Sequence, residues 1–296
     1  MAPSDSPASG ARLFDDIARS TSRRSFWWLG QHSFALRLGA TVLLVDPFLS
    51  PVPGRLMPPP FAPEDAHGVD AVACTHDHLD HLDPIAVEGL AAHTSCTFVA
   101  PRAHAERMQS LGVPSERLVL LNDAESAVVG DVRVHAIKAA HEGFDRTPDG
   151  LYPHLGFVFE ADDATVYHAG DTVWWEGLQA RLRAWRLDVA MVPINGRDAE
   201  RLADGVIGNM VYQEAADLVG QLGVALAVPA HHGMFESNTA DPRDFEAYVR
   251  SRYAATEVWV GPPGVEVPFA ARRARDGTPV ERDATPDASI DGRTQR

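Results

Sequence analysis

The sequence predicts an α/β or α+β sandwich, with helices packed on the outside of mixed β-sheets, and three observations predict it. Short apolar runs of strand type recur along the chain from Ser33 to Pro229. Helical patterns intervene from Pro84 onward. In each half, antiparallel strand pairs come first and strand–helix alternation follows. No linker or repeat divides the stretch between the ends, so one domain over residues 23–270 is expected, flanked by tails at 1–22 and 271–296.

The first 22 residues are rich in Ser, Pro, Ala and Asp and are expected to be disordered or loosely attached. Ser22-Arg23-Arg24-Ser25-Phe26 resembles a twin-arginine export signal. The smooth apolar stretch such a signal needs is broken by Gln31, His32 and Arg37, so the segment after Phe26 reads as a first strand instead. Strands at 33–38 and 41–45 flank a Gly39-Ala40 hairpin turn. The short apolar run Val69–Cys74 reads as a buried strand, although so short a run also fits a helix. Asp83 as N-cap and Pro84 at the first helical position open a helix over 84–92. Further strands are expected at 97–100, 132–137, 156–160, 165–168, 189–194 and 226–229, with Asp162-Asp163 as a second hairpin turn. Helices are expected at 105–111, 213–222 and 244–250. The last 26 residues are charged and poor in apolar groups.

At 296 residues, 45% hydrophobic and 23% charged, the chain is that of a globular protein with ample core. Its net charge of −15 argues against nucleic acid as a partner, because affinity there comes from Lys and Arg neutralising phosphates. A small anionic substrate stays open, since a metal centre supplies its own positive charge. Two cysteines, Cys74 and Cys96, form no C-x-x-C pair, which points to a reducing cytoplasm rather than a disulfide framework. No apolar stretch is long enough to span a bilayer, so no membrane partner is expected. A homo-oligomer is left open.

The chemistry concentrates in Thr75-His76-Asp77-His78-Leu79-Asp80-His81. It lies on a tight strand-to-helix loop where side chains can converge, and its imidazoles and carboxylates suit a divalent ion such as zinc, manganese or iron. A solvated polar turn is the bland alternative. It fits poorly, because protonatable rings packed together need a stabilising partner. The remaining ligands are sought at strand ends. His141 ends one strand, whereas His135 lies inside the alternation and reads as packed or surface. Asp171 follows a Gly turn after another strand and, with two oxygens, can bridge two ions; His168 before it reads as supporting. Leu226–Gly233 ends in His231-His232, and position favours His231 as the ligand, with His232 facing substrate or supporting the site.

With these pieces placed, residues 26 to 270 resemble the metallo-β-lactamase superfamily, whose pattern is H-x-H-x-D-H, then His, Asp and His. Within it the chain is most similar to the L-ascorbate-6-phosphate lactonase group. That likeness rests on Trp27-Trp28-Leu29-Gly30, Thr75-His76-Asp77-His78, Phe144-Asp145-Arg146-Thr147, His168-Ala169-Gly170-Asp171, Pro229-Ala230-His231-His232 and Ser237-Asn238-Thr239-Ala240-Asp241-Pro242. Two departures, a shorter middle segment and Gly233-Met234-Phe235 in place of an acidic residue and its neighbours, leave the exact substrate open. A second resemblance, to phospholipase-D-like phosphodiesterases, rests on Asp46-Pro47-Phe48-Leu49-Ser50, Arg55 and Pro58-Pro59-Pro60.

The resemblance implies a four-layer α/β (α+β) sandwich, two mixed sheets with helices on the outer faces. It implies two divalent ions, zinc or manganese, one on His76, His78 and His141, the other on Asp80, His81 and His231, with Asp171 between them. It further implies hydrolysis of a lactone or ester of a small, anionic substrate, in which Asp80 orients the attacking water and carries a proton to the leaving oxygen. A phosphodiesterase and a non-enzymatic metal-binding module are the alternatives. Asp46 is either an acceptor for a ligand histidine or a simple turn aspartate. Arg146, Arg197 and Arg201 are the candidates for binding the anion, with His232 beside them. Trp174-Trp175 could wall the pocket, but core packing suits them better.

Overall fold

The central strands decide this architecture, because they are buried and apolar on both faces and must be covered on both. The structure, a computed structural model, describes residues 10–161 and 163–271. Its strands are β1 (Arg24–Gly30), β2 (Ser33–Leu38), β3 (Thr41–Val45), β4 (Ala71–Ala73), β5 (Thr97–Pro101), β6 (Leu118–Leu121) and β7 (Ser126–Val129) in the first half. In the second half come β8 (Val132–Lys138), β9 (Leu155–Ala161), β10 (Ala164–His168), β11 (Val189–Pro193), β12 (Leu226–Ala230), β13 (Glu257–Val258) and β14 (Glu266–Pro268). The helices are α1 (Gly10–Arg19), α2 (Pro84–His93), α3 (Ala105–Ser110), α4 (Leu178–Leu182), α5 (Ala199–Ala203), α6 (Tyr212–Leu222) and α7 (Pro242–Arg252).

Two seven-stranded sheets result, ordered β14-β1-β2-β3-β4-β5-β6 and β13-β12-β11-β10-β9-β8-β7. Each is antiparallel in one part and parallel in the other: β1 to β3 against β3 to β6, and β7 to β10 against β10 to β13. Phe26, Trp28, Phe34 and Leu36 of one sheet meet Val134, Phe157, Phe159 and Val166 of the other in the central core. The residues between them in sequence, Trp27, Leu29 and Ala35, face outward under α1, α2 and α3. On the far side Val158, Tyr167 and Ala190 pack under α4, α6 and α7. The expected four-layer sandwich of two mixed sheets is therefore the observed one. Asp83 caps α2 by accepting from the Ile85 amide at 2.9 Å, with Pro84 at the first position, as the sequence implies.

One expectation is corrected. Residues 10–22 are no loose tail: α1 buries Leu13, Phe14 and Ile17, with Phe14 edge-on to Phe61 at 5.0 Å, and Arg37 donates to the Ile17 carbonyl. The polar composition of the segment as a whole hides this three-residue stripe, which one helical face suffices to bury. Residues 1–9 and 272–296 lie outside the described residues. The strand reading of the segment after Phe26 holds, for β1 runs on to Gly30. No helix among the described residues is long and apolar enough to cross a membrane.

Candidate metal centre

The strand ends of both sheets meet at one edge of the sandwich. From the first sheet come the β1–β2 turn and the loop after β4; from the second, the segments after β8, β10 and β12. Backbone bonds stitch the two halves there, from the Leu155 amide to the Thr75 carbonyl (3.0 Å) and from the His231 amide to the Gln31 carbonyl (2.9 Å). Gln31, Asp46, Glu142 and His231 are four of the five non-glycine residues with left-handed backbone among those described, and all four border this edge. Such conformations cost of order 1–3 kcal/mol each and persist where surrounding contacts over-determine them. Gly170 (φ +60°) sets the approach of Asp171; a Cβ there would stand 2.5 Å from the Leu155 carbonyl oxygen.

All seven ligand candidates converge. His76, His78, His141 and Asp171 offer ligand atoms within 4.8 Å of one another, and so do Asp80, His81 and His231. Asp171 joins the groups: one oxygen lies 3.2 Å from His231 Nε2 and 3.8 Å from His141 Nε2, the other 3.3 Å from His81 Nε2. Asp80 Oδ2 stands 3.5 Å from His231 Nε2 and 3.6 Å from His81 Nε2. His76 Nε2 and His78 Nδ1 face each other at 3.0 Å.

The protonation pattern suits cations. Burial costs the Asp171 and Asp80 carboxylates, yet the neighbouring His231 and His81 rings outweigh it and hold both pKa values well below the ordinary range. Burial also disfavours charge on His81 and His231, but Asp171 and Asp80 overcome it, raising His81 well above its usual value and His231 to about 9. His76 and His141 are pushed down by burial and stay neutral. Neutral imidazoles and ionised carboxylates are ready ligands, and the protons on His81 and His231 mark where cations would take their place. Four buried ring nitrogens here, His32 Nε2, His81 Nε2, His141 Nδ1 and His154 Nδ1, have no hydrogen-bond partner. A divalent ion fits this donor set.

Asp46 resolves in favour of support. Its fully buried carboxylate accepts from the Thr75 amide (2.8 Å) and hydroxyl (2.7 Å) and sits 2.7 Å from His81 Nδ1. His81 is thereby left with Nε2 toward Asp171. His168 bonds the His32 carbonyl at 2.8 Å, a supporting role, and His135 pairs with Glu160 at 3.0 Å away from the site.

Three residues of the site escaped the sequence reading. Gln31 donates to Asp80 Oδ2 at 2.9 Å and touches His231. His32, fully buried and held near pKa 4 mainly by burial, reaches Asp171 at 3.5 Å and forms a third group with His81 and Asp171. His154 places its ring 5.1 Å from that of His76 and 5.5 Å from that of His141. Gln31-His32 carries the same strand-end signal as His141. His154 precedes its strand, where that search does not look.

The proposed substrate residues diverge. His232 stacks on Trp28 with ring centroids 4.8 Å apart. Arg146 donates to the Tyr152 hydroxyl and lies over its ring at 4.5 Å. Arg197 is bidentate to Glu214 (2.7 and 2.8 Å) and borders a cavity of ≈ 380 Å³ with Glu142 and Trp174. Arg201 is held by Asp198 and the Asn195 carbonyl, both at 2.7 Å. Trp174 and Trp175 pack partly buried against the outer core of the second sheet.

A family model described as "Beta-lactamase superfamily domain" matches residues 41–232. A UPF0173 metal-dependent hydrolase of Rubrobacter xylanophilus is 32% identical over 247 residues, covering 81% of this chain and 94% of that protein. Another from Methanoculleus marisnigri is 30% identical over 251 residues, covering 83% and 97%. Among solved structures, Igni18, a metallo hydrolase from Ignicoccus hospitalis, superposes with TM-score 0.65 at 23% identity, covering 82% of this chain and 97% of that one.

Proposed function

We propose, from the premise that this chain belongs to the beta-lactamase superfamily and is a metal-dependent hydrolase, that it opens a lactone or ester of a small anionic substrate at a two-ion centre. One observation carries the reading: Asp171 belongs with His76, His78 and His141 and also lies 3.3 Å from His81 and 3.2 Å from His231 of the group that includes Asp80, so the residues for two ions meet at one carboxylate. His76, His78 and His141 would hold one ion, and Asp80, His81 and His231 the other. When bound, zinc or manganese would supply Lewis acidity at the scissile carbonyl and activate a water as nucleophile.

The chain's own residues do the rest. Asp46 fixes the tautomer of His81, and Gln31 fixes Asp80 by donating to Oδ2. Asp80 is the one carboxylate of the pair with appreciable exposure, 21% against 4% for Asp171. That exposure supports Asp80 as the group that receives a proton from the attacking water and delivers it to the leaving oxygen. His232, braced on Trp28, would meet the substrate beside it.

Protein reconstituted separately with manganese and with zinc, then given L-ascorbate 6-phosphate and simple esters, tests the reading against a chelated control. Turnover above that control supports it. Turnover confined to a phosphodiester such as bis(p-nitrophenyl) phosphate replaces lactonase with phosphodiesterase. No turnover with any of them defeats the hydrolytic assignment for these substrates.

A further inference from the structure

Lys138 is the single lysine of this chain among 26 Lys and Arg residues, and its ammonium is caged by aromatic rings. It ends β8 three residues before His141. Its Nζ lies 4.7 Å from the ring centroid of Phe144, 5.2 Å from Trp175 and 5.3 Å from Tyr152. The next residue, Ala139, donates its amide to the His154 carbonyl at 2.9 Å, and the His154 ring packs tilted against His76 and edge-on to His141. The cage is thus built on the segment that reaches the ligand histidines.

No carboxylate among the described residues forms an ion pair with Lys138. The other candidate cations are already neutralised: Arg197 by Glu214, Arg201 by Asp198, and Arg181, which lines the same cavity as Lys138, by Asp123 at 3.6 Å. Asp123 is further occupied by the Lys138 backbone amide at 2.9 Å. Arg146 also reaches Tyr152, without a carboxylate partner among the described residues. Three π-faces hold an ammonium in place and strip part of its water, but leave its charge to be met by something else. Beside it opens a cavity of ≈ 260 Å³ lined by Asp123, Lys138, Trp175, Gly177 and Arg181.

We propose that Lys138 is a specificity-determining residue, whose caged ammonium binds the anionic group, phosphate or carboxylate, of the substrate hydrolysed next to it. This rests on the hydrolase reading above in naming the substrate class, but the anion site stands on its own geometry. A caged lysine fixes a point charge that no carboxylate has already claimed, whereas Arg197 and Arg201 spend theirs on Glu214 and Asp198.

Acylation of amines by an N-hydroxysuccinimide acetate reagent, mapped by mass spectrometry on metal-loaded protein, reports on this one lysine. Inorganic phosphate or acetate, against chloride at equal ionic strength, should slow Lys138 labelling several-fold, and the more protective anion identifies the group. Equal rates in all three salts overturn the anion site, whatever the enzyme hydrolyses. In turnover, Lys138→Met should lower the preference for a phosphorylated lactone over its neutral counterpart by about tenfold, the scale of one charge-assisted hydrogen bond. Lys138→Arg should restore much of that preference. If both substrates are lost in parallel, Lys138 is a packing residue and the specificity role falls. If wild type turns over neither lactone, the hydrolase reading fails while the protection result still decides the anion site.

Discussion

Replacing Asp46 with Asn tests how the second half of the centre is set. The carboxylate is fully buried, accepts twice from Thr75 and faces His81 Nδ1 at 2.7 Å. An amide can still accept from the Thr75 backbone through one oxygen. Its NH₂ then points at His81 Nδ1, which must become an acceptor, and the ring proton moves to Nε2. That nitrogen faces Asp171 at 3.3 Å and Asp80 at 3.6 Å, where an ion would need its lone pair. Two losses follow. Folding loses one charge-assisted bond, about 1.5–3 kcal/mol, readable in denaturant unfolding of chelated protein. Metal affinity should fall about 10–100-fold, the usual effect of removing the partner of a ligand histidine. Chelator competition should show this weakening for one ion per chain, the other binding nearly as before. Wild-type affinity for both ions in Asp46→Asn would mean that His81 does not bind through Nε2, and the assignment of the second ion would go with it.

Other outcomes follow from the same geometry. Metal analysis should find two ions per chain, and His78→Ala should lose one of them along with turnover; full activity in that variant sinks its ligand role. Gly170→Ala should destabilise the fold by about 1–3 kcal/mol, because the methyl meets the Leu155 carbonyl at 2.5 Å in a left-handed turn, and an unchanged unfolding midpoint contradicts this. Chelated protein should lose stability as pH rises from about 6.5 through about 9. The His231 pKa is raised in the fold, so its stabilising proton is fully present below the unfolded value and lost above the folded one. A flat stability profile over that window argues against it. Cys74 and Cys96 are buried, and burial raises both thiol pKa values, so alkylation should be slow until the protein is unfolded; rapid native labelling of either refutes that placement.

What was legible in the sequence was whatever is encoded locally. His76, His78, Asp80, His81, His141, Asp171 and His231 each follow a recognisable strand, so their convergence could be anticipated before any sheet was built. The outer strands were less readable: Ser126–Val129 and Glu266–Pro268 are short and lie at or near sheet edges, where half-exposed residues give little apolar signal. Helix Gly10–Arg19 was hidden by its polar surroundings. Arg197 shows the harder limit. Its loop position suggested anion binding, but its partner Glu214 lies 17 residues away and only the fold brings them together. His154 belongs to the same class, for nothing local distinguishes a histidine before a strand from a solvated one.

The division of ligands between the sheets has a practical meaning. His76, His78, Asp80 and His81 come from the first half, and His141, Asp171 and His231 from the second. Neither half alone owns a full set for either ion. Tight metal retention would therefore certify that the two halves have docked correctly, and a variant altered far from the ligands and their supports that sheds its metal can be diagnosed as misassembled without any knowledge of its substrate.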